Sequence, residues 1–369
     1  MHNIRDDLML NKMLRRMPLC VAPISSIICG LVVLTILISG CSPAVQTHQG
    51  YLQKPKLTEH FFISSDSNKL PLTVWKAKTG KTQAVVIALH GFNDHSGAFK
   101  DLGSHLADHG YLFYAYDQRG FGNTQKRGIW AGTDLLVQDL KEMVSLIEKA
   151  HPNLPIHALG ESMGGAVILS AMSRKNKANR PRLTSIVLSA PAVWGRTTMP
   201  AWQSKILDSL VHVIPMIKLT PQGLDINPSD NLDMLKALRN DPRYITESRL
   251  DAIYGLTNLM DRALEASGYQ DTPMLILYGA KDDLVPRSST CKMLTKLPNG
   301  KQKRWRLAFY PNGYHLLFRD LEGALVMKDI IAWFNSKKTE LPSGYEIDLS
   351  EVKNFAHSDC LTSSKLIYK

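Results

Sequence analysis

Alternating strand and helix signals along most of the chain predict an α/β fold with a mostly parallel central sheet, helices on both faces and one helical insertion. Three observations carry this. Continuous apolar runs, such as Ala84-Val85-Val86-Ile87-Ala88-Leu89 and Met274-Leu275-Ile276-Leu277-Tyr278, suit strands buried on both faces, the kind parallel sheets contain. Helical periods follow most of these runs. One strand-to-helix junction, Gly160-Glu161-Ser162-Met163-Gly164-Gly165, is pinched by glycines on either side of a serine.

Taken in order, Glu59–Ile63 and Leu70–Lys76 read as strands, followed by the buried run 84–89 and a helix over 97–109. Tyr111–Tyr116 is the next strand and Thr133–Ala150 the next helix. The strand from Pro155 enters the pinched turn, a small-residue helix leaves it, and Thr184–Ser189 is again apolar and β-branched. From 193 to 270 the alternation stops. Prolines 200, 215, 221, 228 and 242 punctuate apolar helical stripes through Met199, Trp202, Ile206, Leu207 and Leu210, and through Leu232, Leu235 and Leu238. An insertion of this kind packs outside the sheet, so it reads as a helical cap over the strands' C-terminal ends. Strand 273–279, a helix near Ser288–Leu297, strand Arg304–Tyr310 and a helix over Leu321–Asn335 complete the pattern. The expected division is a core of 57–192 and 271–335, a cap of 193–270 and a polar tail of 336–369.

The pinched turn is where chemistry is expected. Gly160, Ser162 and Gly164 match Gly-x-Ser-x-Gly, in which a serine at the tip of a strained turn is exposed and the helix N-terminus behind it favours developing negative charge. A serine hydroxyl is a weak nucleophile and needs a base, which in turn needs an orienting carboxylate. The loops after the two strands beyond the cap supply both. Asp282 and Asp283 follow Tyr278-Gly279, and His315 follows Pro311-Asn312-Gly313-Tyr314 at the sheet edge where open α/β sheets bind ligands.

Together with His90-Gly91, Asp117-Gln118-Arg119-Gly120-Phe121-Gly122 and the elbow Gly160-Glu161-Ser162-Met163-Gly164-Gly165, these residues resemble the monoacylglycerol lipase and lysophospholipase branch of the α/β-hydrolases over roughly 57–335. The resemblance implies the α/β-hydrolase fold and the chain order serine, acid, histidine. Gly-x-x-Asp before Val285-Pro286 resembles the family's acid loop and selects Asp282 over Asp283, giving a triad of Ser162, Asp282 and His315. It further implies an oxyanion hole built from the backbone N–H groups of Phe92 and Met163, with His90 bracing the loop and Asp117 and Arg119 shaping the site without catalysing. The expected activity is hydrolysis of lipid carboxylic esters through an acyl-enzyme on Ser162, with no cofactor and no metal. A short-chain esterase, thioesterase or serine peptidase on the same scaffold is the alternative, and a non-catalytic lipid- or partner-binding lipoprotein is the alternative of another class.

Two further patterns are set aside. Thr79-Gly80-Lys81-Thr82 resembles half a phosphate-binding loop, but Trp75 stands where the pattern needs glycine, so it reads as a polar turn. The spacing from His315 to Asp320 resembles an acyltransferase motif that arises often by chance.

Residues 1–40 read as a lipoprotein signal peptide: Lys12, Arg15 and Arg16 precede an apolar run from Ile24 to Ile38 that ends in Ile38-Ser39-Gly40-Cys41. The last four residues resemble the bacterial lipobox, which makes Cys41 the lipid attachment site and 41–56 a tether, with Ser42 pointing to the periplasmic face of the outer membrane. Cys291 and Cys360 lie beyond the tether and are expected to be unpaired. A formal charge of +11 is spread along the chain with no nucleic-acid-binding motif, so a solvated basic surface is expected and nucleic acid is not a partner.

Overall fold

The computed structural model describes residues 42–347, apart from 174, 176–178, 221, 222, 224 and 300–303. The signal peptide, Cys41, Cys360 and the tail beyond 347 therefore lie outside the described residues. Nine strands form one sheet: β1 (Lys56–Leu57), β2 (Phe61–Ile63), β3 (Lys69–Trp75), β4 (Ala84–Leu89), β5 (Tyr111–Tyr116), β6 (Ile156–Glu161), β7 (Ser185–Ser189), β10 (Met274–Gly279) and β11 (Trp305–Tyr310). Their spatial order is β1-β2-β3-β5-β4-β6-β7-β10-β11. The three N-terminal strands join antiparallel and every later neighbour is parallel. Strand β6 sits near the centre and is buried along its whole length.

Alternation along each strand divides the core in two. Val85, Ile87 and Leu89 of β4 face one apolar cluster, and Ala84, Val86 and Ala88 face the other. Helices α1 (Lys100–Asp108) and α8 (Gly323–Asn335) cover the second face with Leu102, Leu106, Val326 and Ile330. Helices α2 (Thr133–Ala150), α3 (Met163–Ala171) and α7 (Arg287–Lys296) cover the first.

The insertion comprises α4 (Ala201–Leu210), α5 (Leu232–Asn240), a two-stranded ribbon of β8 (Lys218–Leu219) and β9 (Ser248–Arg249), and α6 (Leu250–Ala266). Its parts differ. Neither α4 nor α5 contains a buried residue, and the stripe through Trp202, Ile206 and Leu210 is exposed. Helix α6 instead joins the first-face core through Ala252, Leu259, Met260, Ala263 and Leu264 and packs along α3. Its Gly255 admits the Trp130 ring, which a Cβ would meet at 2.3 Å. The 227–249 stretch meets loops at the C-terminal strand ends: Ile245 N–H donates to Asn93 O at 3.0 Å and Leu316 N–H to Pro228 O at 3.0 Å.

The described parts of the tether and the tail make defined contacts, and one cysteine differs from its expected state. In the tether, Ala44 N–H donates to Asp251 Oδ2 at 3.1 Å, Gln46 is buried and Val45 bridges to Trp130, so the chain is docked from its third residue after Cys41. In the tail, Phe309 N–H donates to Tyr345 O and Ile347 N–H to Leu307 O, both at 2.9 Å. This covers the outer edge of β11, which would otherwise present unpaired backbone groups. Cys291, expected to be unpaired, is disulfide-bonded.

Candidate active site

Ser162 caps α3 with φ 50° and ψ −113°, a left-handed conformation that a side-chain-bearing residue adopts only under constraint. The constraint is a set of backbone bonds: Ser162 N–H donates to Ser189 O, and Ala192 N–H donates to Ser162 O, each at 2.9 Å. The flanking glycines are steric necessities. A Cβ on Gly160 would lie 2.4 Å from Gly165 N, and one on Gly164 would lie 2.0 Å from Leu89 O. The elbow therefore presses directly on the end of β4, where the loop 90–96 begins.

That loop abuts the serine, since a Cβ on Gly91 would lie 3.4 Å from Ser162 Cβ. His90 braces it: Nδ1–H donates to Gly91 O at 2.8 Å and Nε2 accepts from Gln118 N–H at 2.9 Å. Burial holds this imidazole below its ordinary pKa, so it is neutral in the tautomer these bonds require. Among the described residues, no group accepts from the N–H of Phe92 or of Met163. Met163 opens α3, where unsatisfied N–H groups favour an anion, and Phe92 follows Gly91, which abuts Ser162. Next in the loop, Asn93 has φ 67°, and its side chain donates to Ser248 Oγ of the insertion at 2.7 Å. A narrow apolar crevice, with a cavity volume of about 10 Å³, adjoins the loop between Phe92, Phe121, Trp130, Ile245 and Ala252.

The structure distinguishes the two aspartates. Asp282 Oδ2 lies 2.9 Å from His315 Nδ1, while Asp282 Oδ1 accepts from Leu284 N–H at 2.9 Å and Val285 N–H at 3.0 Å. Asp283 is exposed and accepts from Asn227 N–H at 3.4 Å. The acid and histidine loops are held together by Lys281 N–H donating to Gly313 O at 2.9 Å. His315 is 2% exposed. Burial alone would lower its pKa, but the Asp282 carboxylate, with Glu161 beyond it, outweighs burial and the opposing Arg319, and the net direction is upward.

Asp117 and Arg119 serve as scaffold. Asp117 accepts from Ser96 N–H at 2.8 Å and Asn123 N–H at 2.9 Å. Arg119 bonds Asp66, in the turn after β2, and Asp139 of α2, at 2.6–2.7 Å, in a fully buried cluster. Asp320 accepts from Ser229 Oγ at 2.6 Å and Tyr314 N–H at 2.8 Å. Thr79–Lys81 are exposed, in the connection between β3 and β4. Among the described residues, no group of three or more His, Cys, Asp or Glu is arranged to hold a metal ion.

Three residues of the site carried no signal in the sequence. Glu161 is fully buried beside Ser162, and its Oε2 accepts from Arg319 Nη2 at 2.6 Å. Arg319 Nη1 lies 2.8 Å from Asp94 Oδ2. Burial raises the Glu161 carboxyl and the Arg319 cation opposes the rise. Arg319 itself is raised, Glu161 and Asp94 outweighing its burial. Glu161 ends a strand that also holds His157, and its partner stands 158 positions away, so nothing local marks the pair.

A parallel-centred sheet with a serine elbow at the end of its central strand, and an Asp–His pair on the loops after the last two strands, defines the α/β-hydrolase class. Residues 80–322 match the sequence profile of the Hydrolase_4 family, described as serine aminopeptidase, S33, and the chain belongs to that family. It is 27% identical over 288 residues to a monoacylglycerol lipase of Mycolicibacterium smegmatis, covering 76% of this chain and 97% of the relative. It is 28% identical over 282 residues to the human monoglyceride lipase, covering 74% and 89% respectively. The fold is similar to that of a soluble variant of the Saccharomyces cerevisiae monoglyceride lipase, with a TM-score of 0.63 at 21% identity over 81% of this chain and 100% of the other. The chain is thus a hydrolase of the monoacylglycerol lipase-like branch.

Proposed function

We propose that this protein is a membrane-anchored serine hydrolase of lipid carboxylic esters, with monoacylglycerol or lysophospholipid as substrate. The observation that carries the reading is the 2.9 Å bond between Asp282 and His315 at the sheet edge where Ser162 stands in its strained turn. In this mechanism His315 Nε2 takes the Ser162 hydroxyl proton as Oγ attacks the ester carbonyl. Asp282 holds Nδ1–H and stabilises the imidazolium. The N–H groups of Phe92 and Met163 receive the oxyanion, and His315 returns its proton to the departing alcohol. Water, deprotonated by His315, then attacks the acyl-enzyme and releases the fatty acid.

Two features support a lipid surface as the working environment. The insertion exposes Trp202 (63%), Val213 (65%) and Met216 (65%), more apolar surface than a cap facing only water needs. Ala44, three residues after the expected acylation site, docks on Asp251, whose own N–H donates to Pro215 O beside Met216. Acylated Cys41 would hold this side at the membrane, on the periplasmic face of the outer membrane.

Hydrolysis of a panel of monoacylglycerols, lysophospholipids, graded p-nitrophenyl esters and peptide anilides tests the substrate class. The expected result is turnover that rises with acyl length and is greatest on monoacyl lipids. A maximum at acetyl or butyryl esters, or on peptides, would overturn it, and an absence of turnover in folded protein would leave a binding protein. For the anchor, Cys41→Ala is expected to move the protein from the membrane to the soluble fraction; an unchanged distribution would refute acylation there.

A further inference from the structure

The proton transfers above make no use of three buried charged side chains, Glu161, Arg319 and Asp94. Each belongs to a different working part of the site. Glu161 immediately precedes Ser162, Arg319 ends the single turn Leu317–Arg319 that follows His315, and Asp94 lies two residues beyond Phe92. Arg319 bonds both carboxylates, at 2.6 Å to Glu161 and 2.8 Å to Asp94. A buried ionic triad is a weak source of stability, because apolar residues of similar volume pack as well, and its use lies in fixing geometry. Here the geometry fixed is that of the nucleophile, the base and the oxyanion donor relative to one another.

We propose that Arg319 is the positioning residue of the site, locking the elbow, the histidine loop and the oxyanion loop in register, and that the Glu161 carboxylate it holds provides a second negative charge facing His315. This rests on Ser162, Asp282 and His315 being the catalytic groups. Asp282 and Glu161 both favour the imidazolium that forms during attack, while Arg319 opposes it. Asp320 also faces His315, and Tyr244 of the insertion faces Arg319 and Asp94. Glu161 faces Arg319, Asp94 and His315, and the Arg319 cation is what offsets its burial. Fork geometry matters as well as charge, because a guanidinium reaches two carboxylates with separate nitrogens and an ammonium does not.

The test is a pH profile of kcat/KM on a water-soluble p-nitrophenyl ester for wild type, Glu161→Gln, Asp94→Asn, Arg319→Lys and Arg319→Met. Glu161→Gln removes a negative charge facing His315, so the acid limb is expected to move to lower pH by ~0.3 unit or more, with a lower plateau. Asp94→Asn is expected to lower kcat without moving the limb. Arg319→Met is expected to lower kcat by about tenfold or more with little change in KM, and Arg319→Lys to recover part of the loss. A Glu161→Gln limb superposed on wild type, with kcat within about twofold, overturns the inference, as does a series in which only thermal stability falls. Should Glu161→Gln fail to fold, the comparison of Arg319→Lys with Arg319→Met decides: equal kcat in the two overturns the positioning role, and partial recovery by lysine supports it. Ser162→Ala run in parallel separates the two levels: turnover retained there removes the catalytic reading itself, whereas its loss with an unmoved Glu161→Gln limb removes only this inference.

Discussion

Replacing Gly164 by alanine adds one methyl group at the point where the elbow helix touches the strand that leads into the loop 90–96, the proposed oxyanion loop. The new Cβ would lie 2.0 Å from Leu89 O, 2.5 Å from Leu89 C and 2.7 Å from Leu89 Cβ. Carbon–oxygen contacts settle at about 3.3 Å, so the two backbones must part by ~1 Å. Leu89 is followed directly by His90-Gly91-Phe92, so the displacement passes into the loop that presents the Phe92 N–H. A misplacement of ~1 Å can cost about 10²-fold, and losing an oxyanion donor outright costs about 10²–10³-fold, or roughly 2.7–4 kcal/mol. The expected loss in kcat is therefore about 10²-fold or more, accompanied by roughly 1–3 kcal/mol of overpacking destabilisation. The assay is kcat on a soluble p-nitrophenyl ester, with circular dichroism to verify folding. Gly268→Ala is the control, because a Cβ there meets its nearest atom at an ordinary 3.5 Å. A folded Gly164→Ala enzyme with kcat within about threefold of wild type would refute the reasoning.

The two aspartates make a paired prediction. Asp282→Asn loses the carboxylate that fixes the His315 tautomer and should lower kcat by about 10⁴-fold, while exposed Asp283→Asn should stay within a few-fold; similar losses in the two would contradict the assignment. Because His315 is raised above its ordinary value and must be neutral to act as a base, activity should increase with pH through a limb above about 6.5. An acid limb in kcat/KM clearly below that value would reverse the sign argued here. Arg119→Met should destabilise the fold by about 3–5 kcal/mol in denaturant titration, since it leaves Asp66 and Asp139 buried without their counter-charge. A loss under about 1 kcal/mol would mean the cluster is dispensable.

What was legible in the sequence was what local sterics and burial dictate. Strands buried on both faces are mostly continuously apolar, so β4 and β10 stood out. Gly160 and Gly164 are demanded within five residues of chain, so the elbow did too. The Arg319 triad was not legible, because its members look like ordinary charges until the fold brings together positions 158 apart. Periodicity likewise gives the same stripe whether it faces a core or solvent, which is why Trp202 and Ile206 resembled packing residues. Helix α6 was grouped with the cap because the sequence shows no strand signal between it and α4 and α5, yet Ala252, Gly255 and Ala263 let it pack closely among Trp130 and α3. The docked segments Ala44–Gln46 and Tyr345–Ile347 carry no strand signal of their own, since their pairing comes from the edges they meet.

The most direct test is mass spectrometry of the protein after reaction with a fluorophosphonate, which is attacked by an activated serine and remains bonded to it. A single adduct on the peptide containing Ser162, absent from Ser162→Ala, is the predicted result. Equal labelling of wild type and Ser162→Ala, or an adduct on another residue, would contradict the assignment of Ser162 as the nucleophile.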